Sequence, residues 1–141
     1  MSDFYKYFKE NMDALNLAAP KSLYGSVATA QASISGMLAY IDKFGTRVTV
    51  MEMIGAGTNL ELLATVGAAQ GAYYVGAAIG SLAVATGRTL AGGTSLSDVM
   101  FEASRWNLNR DWLLPLLHRR PGIYDPTVRG RKYHKLYENL K

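Results

Sequence analysis

The chain has 141 residues, a length that fits one domain, with 49% apolar and only 18% charged residues against roughly 25% charged in an average soluble domain. With no cysteine, disulfide scaffolds, thiolate metal sites and cysteine nucleophiles are excluded. The net charge of +4 is unevenly placed: residues 1–100 hold six Lys or Arg against seven Asp or Glu, and residues 101–141 hold nine against four. A basic tail on a nearly neutral body suits lipid headgroups, nucleic acid or an acidic protein surface, and equally a solvated segment.

The first ten residues (MSDFYKYFKE) have no basic start, apolar run or small-residue cleavage site. The expectation is synthesis in the cytoplasm and export by a route that needs no such signal. Phe4, Phe8, Met12 and Leu15 fall at helical spacing and predict an amphipathic helix over residues 3–17, ended by Pro20. From Ser22 to Ile41 runs a stretch of 20 uncharged residues, long enough as a helix to rise about 30 Å, the thickness of a bilayer core. Its serines, threonines and Gln31 make it a poor membrane span alone. Val48 to Ile54 reads as a short strand or as a helix broken at Gly55 and Gly57, and the pattern does not separate the two.

From Leu62 to Gly87 no residue is charged. This is the strongest single feature of the sequence, long enough to span with some tilt. Gln70, Tyr73 and Tyr74 within it call for polar partners or water. Beyond a Gly-rich turn, Ser95 or Ser97 opens a helix to about Asn107, and a second helix begins near Asn109, kinked or shortened by Pro115. Residues 129–140 read as a last basic helix.

Small residues recur at intervals of four in the long stretch: Ala64, Ala68, Ala72, Gly76 and Gly80, with Gly67 and Gly71 on an adjacent face. Residues four apart stack on one face of a helix, so small ones open a groove for close backbone approach. Such packing is a main source of helix association in lipid. In water each glycine costs about 1 kcal/mol of helix propensity, so this many needs a packing reason. Ala28, Ala32 and Gly36 repeat the spacing in the first stretch. The two helices can pack as a hairpin or against further copies, and soluble bundles also use such faces.

A small chain with glycine-zipper helices and no signal peptide resembles the pore-forming toxins delivered by bacterial type VI secretion systems. The resemblance rests on Gly67 to Gly71 (GAAQG) and Gly76 to Gly80 (GAAIG), about a tenth of the chain. It implies carriage inside the secretion tube, insertion into the inner membrane of a target cell, oligomerisation, ion leakage and a dedicated immunity protein. It does not explain the basic C-terminal third.

Little chemistry competes with that reading. His118 and His134 are sixteen apart with no carboxylate at a ligand interval, so no metal is expected, and no Gly-x-Ser-x-Gly elbow is present. Gly55 and Gly57 after an apolar run imitate a dinucleotide loop, but Leu60 replaces the third glycine and the acidic ribose ligand is missing. No cofactor is expected. Glu52 and Glu61 fit helix N-termini, or, for Glu61, a ring at a pore mouth. Arg119, Arg120, Arg129, Arg131, Lys132 and Lys135 interleave with Tyr124, Tyr133 and Tyr137. That pattern fits a membrane interface, preferred over nucleic acid because no nucleic-acid module is recognisable. A docking segment for a partner protein fits equally.

The expectation is therefore an all-α single domain: an amphipathic N-terminal helix (1–20), a central small-residue hairpin (21–90) and a basic helical region (91–141). The expected function is a non-enzymatic, membrane-active toxin. Its helices would associate through Gly67, Gly71, Ala72, Gly76 and Gly80, and through Ala28, Ala32 and Gly36. The alternatives are a soluble bundle that docks a protein partner, and a constitutive small membrane or immunity protein.

Overall fold

Helix α1, Asp3–Ala14, forms where Phe4, Phe8 and Met12 repeat every four residues, and all three are buried while Lys6, Lys9 and Asp13 face out. In this computed structural model, which describes residues 3–55, 63, 66–89 and 95–124, α1 stops before Pro20. Asn16 adopts a left-handed φ of 65°, and the Leu17 amide reaches back to the Met12 carbonyl (2.9 Å). The Asn16 amide donates to Asp13 (2.9 Å), which completes the two-bond Schellman closure of a helix end. Pro20 instead precedes α2, Lys21–Tyr24.

The first uncharged stretch is divided by a polar cap. Ser26 takes an extended conformation, accepts from the Thr29 amide (3.1 Å), and so starts α3, Val27–Phe44. Ala30, Ile34, Met37, Leu38 and Ile41 line its buried face. Gly45, at φ 99°, ends it.

Residues after Val48 are helical rather than extended. Thr49 and Glu52 exchange cap bonds, Thr49 N to Glu52 Oε1 (2.8 Å) and Glu52 N to Thr49 Oγ1 (3.2 Å), and start α4, Val50–Gly55. Two further amides at its start, Val50 and Met51, donate to the carbonyls of Ala69 (2.9 Å) and Gly67 (3.0 Å). Those carbonyls belong to the second uncharged stretch, so residues 66–70 are held as turns against α4. The long helix α5, Gly71–Thr89, starts only after them. The 26-residue stretch is thus not one span. Gln70 lies exposed ahead of the helix, and Ala68 is exposed in the turn. No helix among the described residues is long and apolar enough to cross a membrane.

Ser95 and Asp98 form a full capping box that starts α6, Leu96–Arg105. Its end copies that of α1: Asn107 has a φ of 62°, Leu108 N donates to Ala103 O (2.7 Å) and Asn107 N to Ser104 O (3.2 Å). Helix α7, Leu113–Arg119, begins four residues later than the sequence pattern predicts, which places Pro115 in its first turn. There the missing N–H has no helical partner to lose, so the proline starts the helix without kinking it. A 3-10 turn at Pro121–Ile123 follows. The expected basic helix at 129–140 lies outside the described residues.

The described residues are all-α, and α5 is the element the others pack around. It contacts α1 most extensively, then α6, α3, α7, the 3-10 turn and α4. Every residue from Gly71 to Ala85 is buried except Tyr73, which is half-buried. One exposed ion pair braces the exterior, with Arg110 gripping Asp42 through Nε (2.9 Å) and Nη2 (3.0 Å). At such exposure it contributes under about 1 kcal/mol.

The left-handed caps give a direct stability expectation. Replacing Asn107 with Gly should leave the denaturation midpoint nearly unchanged, whereas Asn107→Val should cost about 1–2 kcal/mol, because a β-branched residue resists positive φ. Urea unfolding followed by circular dichroism checks both.

Candidate functional site

The candidate site is the small-residue face of α5 and what occupies it. Gly71 starts the helix where a Cβ would stand 3.1 Å from the Val48 carbonyl oxygen and 3.0 Å from Met53 Cε. Five residues on, a Cβ at Gly76 would overlap Leu116 Cδ2 of α7, with Leu113 Cδ1 at 3.8 Å. Four further on, a Cβ at Gly80 would overlap Ile123 Cγ2. Leu113, Leu116 and Ile123 are all buried. The glycine notches of α5 are therefore filled by the chain's own C-terminal elements.

Ala72 is buried on the same helix. Gly67 is buried ahead of it and lends its carbonyl to α4. The small residues of α3 are placed differently: Ala28, Ala32 and Gly36 are exposed, as is Ala39, and nothing lies within 4 Å of a Cβ at Gly36. The contact between α3 and α5 uses the opposite, branched face of α3. The expected stripe is interrupted between Ala68, in the turn, and Ala72, because the helix starts at Gly71; Ala64 lies outside the described residues.

Polar atoms deep in the fold tie the same elements together. Asn11 Nδ2, on α1, donates to Ser81 Oγ (2.9 Å) on α5 and to the Ile123 carbonyl (2.7 Å). Asn11 and Ser81 are both buried, so this bridge spares three groups an unsatisfied interior position. Tyr74 donates to the Ala18 carbonyl (2.8 Å), and the Tyr24 hydroxyl lies 2.9 Å from it. With the single Tyr74 proton committed to Ala18, Tyr24 is the donor of that second bond. Tyr24 also stacks on Phe8, with ring centroids 4.5 Å apart. Burial, reinforced by Tyr74, pushes the Tyr24 hydroxyl well above its ordinary value of 10.0.

Of the basic residues, Arg119 and Arg120 are exposed at the end of α7 with His118, and the Arg120 guanidinium sits 5.2 Å from the ring centre of Tyr73. Arg129, Arg131, Lys132 and Lys135, with Glu61, lie outside the described residues. Among the described residues no group of three or more His, Asp or Glu is placed to hold a metal. Asn11 and Ser81 escape sequence reasoning: α1 carries several other polar residues, and α5 also carries Tyr74 and Thr86. The available signal is Asn11 itself, the one polar residue one position before Met12 on the apolar side of α1.

No protein-family model matches the chain, and no curated protein and no solved structure matches it.

Two expectations follow. Gly80→Leu should cost about 3 kcal/mol through overpacking against the stiff Ile123, while Gly36→Leu on the open face should be neutral or stabilising by about 0.5–1 kcal/mol. Thermal melts of the two variants decide it. For pH, Tyr24 keeps its proton in the folded state beyond the point where the unfolded chain loses it. Stability is therefore whole below pH 10 and falls as pH rises above it, where the folded state binds more protons. Tyr24→Phe should reduce that alkaline fall in denaturation midpoints between pH 9 and 11, leaving the share of Tyr74, which burial also raises, at a cost of about 1 kcal/mol near neutrality for the lost bond.

Proposed function

We propose that this protein is a non-enzymatic, membrane-active toxin that stores its small-residue helix inside a helical bundle and acts by giving that helix up to a target-cell membrane. The observation that carries the reading is the placement of α5. The least charged segment of the chain, uncharged from Gly71 to Gly87, is sheathed on nearly every side by more polar helices. Its hydroxyls at Ser81 and Tyr74 bond to neighbouring elements, and the Arg120 guanidinium lies over its Tyr73 ring.

A helix of 19 residues rises about 28 Å, close to a bilayer core, but α5 is not apolar enough to cross alone. In this reading it inserts with company. The inserting unit is the pair α3 and α5, and copies associate through Gly76 and Gly80 and through the outer face at Ala28, Ala32 and Gly36. Such association replaces lipid contact with close helix packing and leaks ions. The resemblance to type VI secretion toxins supplies the accompanying proposals: a carrier in the secretion tube, action at the inner membrane, and an immunity protein. The exposed Arg119 and Arg120 fit anionic headgroups.

A second reading is favoured by the same glycines. Because Leu116 and Ile123 already fill the notches, packing inside one chain accounts for Gly76 and Gly80 without a membrane. A soluble bundle that docks a protein partner then follows.

Dye release from phosphatidylcholine–phosphatidylglycerol vesicles separates the two. The toxin reading expects release by the wild-type protein and its reduction by Gly36→Leu, which leaves the bundle folded. Wild-type protein that stays folded, neither binding vesicles nor releasing dye, would sink the toxin and leave the docking bundle.

A further inference from the structure

The C-terminal elements do more than complete the core. Between Leu113 and Ile123 the chain runs along α5 and closes both glycine notches, Gly76 with Leu116 and Gly80 with Ile123. Among the described residues, few polar contacts tie the run to the rest of the fold. Asn11 Nδ2 grips the Ile123 carbonyl (2.7 Å), and Arg120 lies over Tyr73, the one incompletely buried residue between Gly71 and Ala85. Its outer side presents His118, Arg119 and Arg120, all exposed. One short segment thus covers the small-residue face of α5 and shows a cluster of basic groups to the exterior.

We propose that residues 113–123 are an autoinhibitory strap, which keeps the glycine face of α5 from any other helix until an anionic lipid surface draws the strap away. This deepens the membrane-active reading and rests on it, since it names the step that precedes release of α5. The chemistry of release is competition for one side chain: a lipid phosphate attracts Arg120 away from the Tyr73 ring, a cation–π contact of about 0.5–1 kcal/mol at an exposed site. Arg119 beside it adds a second attraction of the same sign, about 1 kcal/mol per basic residue near an anionic leaflet. What remains to be broken is the Asn11 bond and the seating of four buried apolar side chains, Leu113, Leu116, Leu117 and Ile123.

The strap can be locked chemically. A Cβ at Gly80 stands 3.7 Å from Ile123 Cβ, inside the about 3.5–4.5 Å that a disulfide requires, and the chain has no other cysteine to compete. The test uses the full chain carrying Gly80→Cys and Ile123→Cys, oxidised and reduced, so that a single polypeptide serves as its own control. Leu116→Ala with Ile123→Ala, which keeps both glycines, is the opposite case. Native-state hydrogen exchange reports opening in buffer. Dye release is measured from phosphatidylcholine vesicles with and without phosphatidylglycerol.

The strap predicts that the amides of Arg120, Ile123 and Tyr124 exchange faster than those of α3 and α5 in the reduced protein. Oxidation should slow them selectively. Reduced protein should release dye from anionic vesicles only, oxidised protein should lose that release, and the double-alanine variant should release faster than wild type. Strap amides as protected as those of α5, or oxidised protein that leaks as fast as reduced, would overturn the strap and leave the toxin reading intact. Should no form release dye, the toxin reading falls and the lipid-released strap falls with it.

Discussion

The close approach of Leu116 and Ile123 to the backbone of α5 is the contact on which this bundle depends. Two missing Cβ atoms, at Gly76 and Gly80, let branched side chains reach the helix surface itself. Because those glycines sit one turn apart on one face, α7 and the 3-10 turn lie along α5 rather than across its end. Helix propensity is lost at each glycine, about 1 kcal/mol. Burial of Leu113, Leu116 and Ile123, at about 1.5–3 kcal/mol for each fully buried side chain, more than offsets that loss.

The same economy of volume explains how one helix can serve six neighbours. Alanine and glycine give α5 a thin profile, and the bulk that fills the core comes from the sheath: Phe8 and Met12 of α1, Ile34 and Leu38 of α3, Val99 of α6. Two polar contacts then set the register of the sheath. Asn11 has to find both Ser81 and the Ile123 carbonyl, and Tyr74 has to find Ala18. Apolar packing alone would tolerate a slide of α1 along α5, but a slide would strand these buried groups.

Much of this could be read in the residues. The four-residue repeat of Phe4, Phe8 and Met12 gives α1 and its buried face, and Ser95 with Asp98 marks the start of α6 because a capping box is local. The small-residue spacing at Ala72, Gly76 and Gly80 identifies a close-packing surface, though not its occupant, since Leu116 and Ile123 lie some 40 residues away in sequence. Local patterns misplace two helix boundaries. Pro20 and Pro115 read as breakers, whereas the left-handed Asn16 ends α1 and the proline falls in a first turn of α7, where it costs nothing. The start of α5 is hidden for a different reason. Tertiary hydrogen bonds from Val50 and Met51, with the Gly71 amide donating to the Val48 carbonyl, hold residues 66–70 out of the helix, and uncharged composition carries no trace of them.

The Asn11 bridge has a consequence for the order of events during synthesis. It joins positions 70 and 112 residues apart in sequence, so the partners of a group made early are translated late. Until residue 123 has left the ribosome, the Asn11 amide lacks one acceptor, and the notches at Gly76 and Gly80 stand open. Contacts of such long separation form slowly, after loop closure has been overcome. A nascent chain of this protein therefore remains an incomplete bundle until residue 123 has emerged, with the glycine notches of α5 uncovered. That interval is when a chaperone has its best access to α5.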